Sequence, residues 1–182
     1  PAVAAGLTEK VGELTVGSPE DDAVIVPLIS EQSADFVEGL IQDALQKGAK
    51  ALCGGGRKGN LIEPTVLTDI TKEMWIYYED PFGPVVPILS VRDVQEAIET
   101  ANDSPYGLQC SIFHSDIDKA LAIANHIEVG SVQINGRTER GPDNLPFLGG
   151  KNSGCGVQGV SASIESMTRS KVNVINFSDH IN

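Results

Sequence analysis

The chain has 182 residues, of which 41% are hydrophobic and 21% charged, and 25 acidic against 13 basic side chains leave a net charge of −12. This is an ordinary globular mix, enough for one domain or one domain and an appendage. The acidity repels phosphate backbones and argues against nucleic acid as a partner, and no apolar run approaches the roughly 18 residues of a membrane helix.

The predicted elements begin with a helix tail over residues 1–16, where Leu7, Val11 and Leu14 recur at helical spacing before Gly17-Ser18-Pro19 ends it. Glu20-Asp21-Asp22 reads as a solvated acidic loop. A second helix follows Ser30, which can cap it. Val37, Leu40, Ile41, Ala44 and Leu45 form its apolar face, and Gly48 stands where a left-handed C-terminal residue belongs. Gly54-Gly55-Gly56 invites a phosphate-loop reading, but no Gly-Lys-Ser/Thr ending or helix follows, so a flexible turn is expected. Leu61–Leu67 predicts a strand interrupted by Pro64, which would put it at an edge or a bulge.

Tyr78-Glu79-Asp80-Pro81-Phe82-Gly83-Pro84-Val85-Val86-Pro87 is the stretch around which the chain is organised. Pro81 and Pro84 fix φ and lack amide donors, so the segment is a rigid loop before a strand, not a helix. It presents Asp80, an acceptor suited to paired hydroxyls, and Phe82, a ring suited to an apolar ring face. A polar turn before a buried strand is the plainer reading of the same residues.

From Val85 the pattern becomes regular. Val85–Val91 is a predicted strand. Asp93 and Glu96 form a capping box for a helix burying Val94, Ala97, Ile98 and Ala101. Ser111-Ile112-Phe113 is a strand, Ser115 or Asp116 caps a helix with Ala120, Ile123, Ala124 and Ile127 on one side, and Ser131–Asn135 is a third strand. This order predicts an α/β fold with a mostly parallel sheet and flanking helices, with ligands gathered outside the carboxyl ends of the strands. The segment from Asn135 to Gly159 is long and glycine-rich. Its Arg137, Arg140 and Lys151 either bind a phosphate or carboxylate or neutralise nearby acids. Lys171–Phe177 is a β-rich run that needs a sheet to join.

Cys53, Cys110 and Cys155 are odd in number and lack metal-ligand spacing, so neither a disulfide framework nor a zinc site is expected, and a cytoplasmic setting fits. There is no secretory signal, and the opening Pro1-Ala2-Val3 without methionine leads us to expect a piece of a longer chain.

Glu79-Asp80-Pro81-Phe82-Gly83-Pro84 resembles the E-E-x-F-G-P loop of aldehyde dehydrogenases. Asn102 with Pro105-Tyr106-Gly107-Leu108 resembles that family's N-x-x-x-Y-G-L, and Pro146–Gly156 its P-F-x-G-x-K-x-S-G-x-G. A narrower likeness is to the non-phosphorylating, NADP-dependent glyceraldehyde-3-phosphate dehydrogenases. It rests on Arg140-Gly141-Pro142-Asp143, Gly156-Val157-Gln158-Gly159 and Ser163–Thr168.

The resemblance implies oxidation of an aldehyde through a cysteine thiohemiacetal, hydride transfer to NADP or NAD, and thioester hydrolysis assisted by a glutamate. The G-Q-x-C nucleophile motif and the general-base glutamate lie upstream in the family and are not in this sequence. Cys110 falls inside a strand, and Cys53 and Cys155 have no histidine nearby in sequence. The chain by itself is therefore expected to be inactive, with no catalytic residue and no metal site of its own. By the same resemblance Asp80 takes the place of the glutamate that binds the nicotinamide ribose, one carbon–carbon bond or about 1.5 Å shorter, so that the loop moves in or a water bridges. Phe82 lines the nicotinamide site and Arg140 grips the substrate phosphate. Residues 1–168 correspond to the C-terminal part of the catalytic domain. Residues 169–182 correspond to an oligomerisation strand and tail, with Lys171–Phe177 joining a neighbouring subunit in a dimer or tetramer. A truncated, non-catalytic relative that only binds a partner is the alternative.

Overall fold

The computed structural model describes residues 2–176. The chain divides into two compact units, Pro1–Ala97 and Ile98–Asn182.

In the first unit α1 (Ala2–Gly12) ends four residues earlier than the sequence pattern predicts, and Val16 bridges in parallel to Ile25. Helix α2 (Glu31–Gln46) is the unit's mainstay. Ser30 Oγ accepts the Ser33 N–H at 3.1 Å, and the helix stops at Gly48, whose φ of +102° suits a residue without Cβ. Ala34, Val37, Leu40, Ile41 and Ala44 are buried because they recur at three- and four-residue spacing on one face. They meet Ile62, Leu67, Ile70, Met74, Ile76 and Val85 in one core. Burying each such large side chain stabilises the unit by about 1.5–3 kcal/mol before entropy is counted.

The sheet beneath α2 has the order β1 (Lys50–Cys53), β4 (Thr65–Thr68), β5 (Val85–Pro87); β1 runs antiparallel to β4 and β5 parallel to it. A separate hairpin pairs β2 (Arg57–Lys58) with β3 (Leu61–Ile62). Two expectations are corrected here. Of the edge or bulge expected at Pro64, the edge is not found: Pro64 separates β3 from β4, β4 is central, and the irregularity in register lies in β1 between Ala51 and Cys53. Nor is the triple glycine a loose turn. Gly55 and Gly56 donate to Thr65 Oγ1 at 2.9 Å and Glu63 Oε2 at 3.1 Å. Gly54, at φ +69°, lies where a Cβ would collide with the Pro64 carbonyl. The strand expected over 85–91 closes at Pro87, after which Ile88 N–H still reaches Leu67 O at 2.8 Å.

The division between units falls within α3 (Val94–Asn102). Asp93 Oδ1 accepts the Glu96 N–H at 2.9 Å, but the Glu96 carboxylate takes the Arg92 N–H at 2.7 Å and so completes no reciprocal capping box. Val94 and Ala101, expected in the core, are exposed, while Ala97 and Ile98 are half-buried.

The second unit contains β7 (Gln109–Ile112) and β8 (Ser131–Ile134), parallel and in register from Gln109↔Ser131 to Ile112↔Ile134, joined through α4 (Ile117–Ala124). Asp116, not Ser115, caps α4, accepting the Asp118 and Lys119 N–H groups at 3.1 Å each. The strand–helix–strand unit is as the spacing predicts, but Val85–Pro87 pairs with β4 and not with these strands. Asn135, at φ +55°, bridges the two carboxyl ends: its Oδ1 accepts His114 N–H at 2.9 Å and its Nδ2 donates to His114 O at 3.0 Å.

Short antiparallel pairs organise the remainder. The strand β6 (Tyr106–Gly107) pairs with β10 (Gly150–Lys151), and β9 (Phe147–Leu148) with β11 (Val157–Gln158), before α5 (Val160–Ser166). Residues 171–176 form no strand, and Val172, Val174 and Ile175 are exposed. Phe177, the end of the expected Lys171–Phe177 strand, lies outside the described residues, as do residues 178–182.

Candidate functional site

In the first unit a short 3-10 turn, Trp75–Tyr77, leads into the loop that carries Asp80 and Phe82. Tyr78 and Glu79 both donate to Trp75 O at 3.0 Å, which sends Glu79 and Asp80 outward into solvent. Asp80 Oδ1 lies 3.4 Å from the Phe82 N–H, a long contact typical of an Asx turn. Phe82 has φ +42°, an uncommon conformation for an aromatic residue, and its side chain is 86% exposed. Strain of this kind persists where the surroundings over-determine it, and it concentrates at ligand-binding positions. Pro81 and Pro84 restrict both flanks. Gly83 packs so closely on α2 that a Cβ there would stand 2.9 Å from Val37 Cγ2. Thr65 N–H then donates to Pro84 O at 2.8 Å and the chain enters β5. The structure thus brings Asp80 and Phe82 together on a loop tied at both ends, with the carboxylate and the ring facing outward.

In the second unit Gln109 Nε2 donates to Glu139 O at 2.8 Å and pins the segment after β8. Arg140 pairs with Asp143 at 3.2 Å, and its guanidinium lies 5.7 Å from the centre of the Phe147 ring. Arg140, Asp143, Gln158, Gly159, Val160 and Ser163 line an open depression of 560 Å³. The basic residues of this segment do not act as one group. Arg137 pairs with Glu139 at 2.7 Å, and Lys151 serves elsewhere. The Lys151 ammonium donates to Asn102 O at 2.6 Å and Ser104 O at 3.1 Å, and lies 3.4 Å from Glu128 Oε2. It neutralises the C-terminal end of α3, where backbone carbonyls have no helical partner. Asn102 holds the same junction, accepting from Glu128 N–H at 2.9 Å and donating to His126 O at 2.7 Å. Ser153 Oγ accepts the Gly107 N–H at 2.9 Å, and Asn152 N–H donates to Pro105 O at 3.0 Å. The two motifs Asn102–Leu108 and Pro146–Gly156 are therefore bound to each other.

Two of the three thiols, Cys53 and Cys110, are poorly placed for nucleophilic attack, and Cys155 is exposed. Cys110 Sγ points to Ser111 O and Cys53 Sγ to Pro64 O, each at 3.8 Å, and burial pushes the Cys110 thiol above its ordinary pKa. Among the described residues no group of acids, histidines and cysteines is arranged to hold a metal, and no helix is long and apolar enough to cross a membrane.

Residues 1–173 match the model of the aldehyde dehydrogenase family. The chain belongs to that family. Among its relatives is the NADP-dependent glyceraldehyde-3-phosphate dehydrogenase of Streptococcus equinus, 52% identical over 177 residues that make up 95% of this chain and 37% of the relative. The enzyme of the same name from Nicotiana plumbaginifolia is 49% identical over 92% of the chain and 34% of the relative. The crystal structure of NADP-dependent glyceraldehyde-3-phosphate dehydrogenase from Bacillus halodurans C-125 complexed with NADP superposes with a TM-score of 0.93 at 55% identity, covering 97% of this chain and 37% of that one. This aldehyde dehydrogenase chain thus spans about a third of the length of the relatives it matches.

Sequence reasoning missed what surrounds the family motifs here. Asp143, Gln158 and Ser163 gather around Arg140 only through the β9–β11 pairing and the start of α5, which no local pattern announces. Asp43 and Lys47, which hold the Trp75–Tyr77 turn, did carry a signal: an acid four residues before a base on one helix face.

Proposed function

We propose that this chain is the C-terminal part of the catalytic domain, residues 1–168, with an oligomerisation strand and tail, residues 169–182, of an NADP-dependent aldehyde dehydrogenase that oxidises glyceraldehyde 3-phosphate to 3-phosphoglycerate without phosphorylation. The observation that carries the substrate class is Arg140 at the rim of a polar depression, in a chain 52% identical to a dehydrogenase named for that aldehyde. Half its side chain is exposed, and its partner Asp143 is 80% exposed, so a phosphate can displace the carboxylate at little desolvation cost. A guanidinium and two further donors, Gln158 and Ser163, suit the three oxygens of a phosphoryl group.

The outward-facing loop of the first unit fits the nicotinamide end of a dinucleotide. The Asp80 carboxylate is an acceptor with solvent-facing lone pairs for the ribose hydroxyls, and the Phe82 ring is an exposed apolar face for the nicotinamide. When bound, the cofactor supplies the hydride acceptor. The chain's own contribution is orientation: Asp80 holds the ribose, Phe82 shields one ring face from water, and Arg140 anchors the far end of the aldehyde. The nucleophilic cysteine and general-base glutamate belong to residues outside this sequence. The positions of Cys53 and Cys110 and the raised pKa of Cys110 support that assignment. The exposed Val172, Val174 and Ile175 support strand pairing with a neighbouring subunit in a homo-oligomer, and the free cysteines agree with a cytoplasmic location.

The test is Arg140→Ala in the enzyme that carries this chain, assayed with glyceraldehyde 3-phosphate and with a neutral aldehyde. The expected outcome is a loss of kcat/KM for the phosphorylated substrate of about 10- to 100-fold, equivalent to one charge-assisted pair, with little change for the neutral one. Equal losses on both would make Arg140 structural and remove the substrate assignment.

A further inference from the structure

The Glu79–Phe82 loop has no regular structure of its own, yet it holds an exposed aromatic residue in a left-handed conformation, so something outside the loop must fix it. Its exit is fixed by Gly83 against Val37 and by Pro84 O accepting from Thr65. Its entrance is fixed by a pair of side chains on α2, one turn apart. Asp43 Oδ2 accepts the Trp75 N–H at 2.8 Å, and Asp43 Oδ1 pairs with the Lys47 ammonium at 2.6 Å. That ammonium also donates to Glu73 O at 2.6 Å and lies 5.4 Å from the centre of the Trp75 ring. Asp43 is only 10% exposed and Lys47 34%. Both side chains therefore grasp the backbone at 73–75, and the Trp75 carbonyl in turn receives Tyr78 and Glu79.

We propose that Asp43 and Lys47 form a latch on α2 that positions the Asp80–Phe82 loop for the nicotinamide half of the cofactor. The inference rests on the proposed role of that loop and deepens it by naming residues that never touch the cofactor. Asp43 is ionised for the purpose. Although burial works to raise its pKa, the hydrogen bonds from Lys47 and the Trp75 N–H, with the Lys47 charge, outweigh burial and hold it below the usual carboxylate range. Without the latch the backbone at 73–75 loses its ties to α2 side chains and is held by Met74 and Ile76 in the core, which allows it to shift, and an error of about 1 Å at a reacting centre costs on the order of 100-fold in rate. The latch acts on orientation and leaves the aldehyde's own contacts alone.

The experiment compares Asp43→Asn, Lys47→Met and Lys47→Arg with Asp80→Asn and Phe82→Ala in the enzyme that carries this chain. NADP titration, steady-state kinetics and amide exchange over 75–84 are read for each. Asp43→Asn and Lys47→Met should each raise KM for NADP about 10-fold, a tenth of the cost of a 1 Å displacement. Exchange at Tyr78 and Glu79 should quicken, KM for the aldehyde should stay at the parent value, and Lys47→Arg should restore most of the NADP affinity. Parent-like NADP binding in the latch variants, while Asp80→Asn and Phe82→Ala weaken it, overturns the latch and leaves the loop's role intact. Parent-like NADP binding in Asp80→Asn and Phe82→Ala as well overturns the loop's role and the latch with it. Parallel loss of aldehyde and cofactor affinity, unrescued by arginine, makes the pair merely structural and also overturns the proposal.

Discussion

Replacing Lys151 by Met keeps the length and apolar stem of the side chain and removes its charge, which makes it a sharp test of whether the glycine-rich segment is held by structure or kept for a ligand. The ammonium makes two hydrogen bonds, to Asn102 O at 2.6 Å and Ser104 O at 3.1 Å, and a looser pairing with Glu128 at 3.4 Å. A hydrogen bond from a charged donor contributes about 1.5–3 kcal/mol, and the side chain is 25% exposed, so water recovers part of the lost solvation at both carbonyls. The glutamate pairing is two-thirds exposed on the acid side and adds little. A net loss of about 2–4 kcal/mol follows for two such bonds after partial resolvation. Urea unfolding monitored by fluorescence or circular dichroism measures it, with an unchanged m-value showing that only stability moved. The reasoning is refuted if Lys151→Met unfolds at the parent midpoint while the KM for a phosphorylated aldehyde rises, because Lys151 would then be a ligand-binding residue.

Three further outcomes are expected. Asp80→Glu in the enzyme that carries this chain lengthens the carboxylate by about 1.5 Å and, if the ribose is its partner, should raise kcat/KM for NADP by about 10-fold, the worth of one improved charge-assisted hydrogen bond; a decrease would mean that the shorter acid is matched to its site. Ile41→Ala, at a buried position on α2, should cost about 2–5 kcal/mol in urea unfolding, and a loss below 1 kcal/mol would contradict the core as described. Val174→Pro removes a ladder donor and should shift the assembled enzyme to smaller species in sedimentation; parent-like sedimentation would place residues 171–176 outside any interface.

What the sequence revealed and what it hid divide along local and non-local lines. Helix α2 was legible because Ser30, the Val37–Ala44 face and Gly48 each encode a start, a side and a stop within one element. The β7–α4–β8 unit was legible for the same reason, although only its hydrogen bonds distinguish Asp116 from Ser115 as the cap. Strand pairing was not legible: Val85–Val91 reads like the strands that follow it, yet Val85–Pro87 pairs with Thr65–Leu67. Pro64 looked like the mark of an edge strand, but it falls in the junction between β3 and β4, where no ladder donor is needed. Val94 and Ala101 carry an apolar pattern and are nevertheless exposed. At the site, Asp80, Phe82 and Arg140 could be singled out from motif and residue chemistry. The left-handed backbone at Phe82 and the company of Asp143, Gln158 and Ser163 around Arg140 depend on contacts across the fold. Lys151 was visible as a cation, but its commitment to the end of α3 comes from pairing 47 and 49 residues away.

The central claim is most directly tested by supplying the enzyme that carries this chain with glyceraldehyde 3-phosphate and NADP and following NADPH formation with and without inorganic phosphate. The account predicts 3-phosphoglycerate as product at a rate independent of phosphate; no turnover, or turnover that requires phosphate and yields an acyl phosphate, would contradict it.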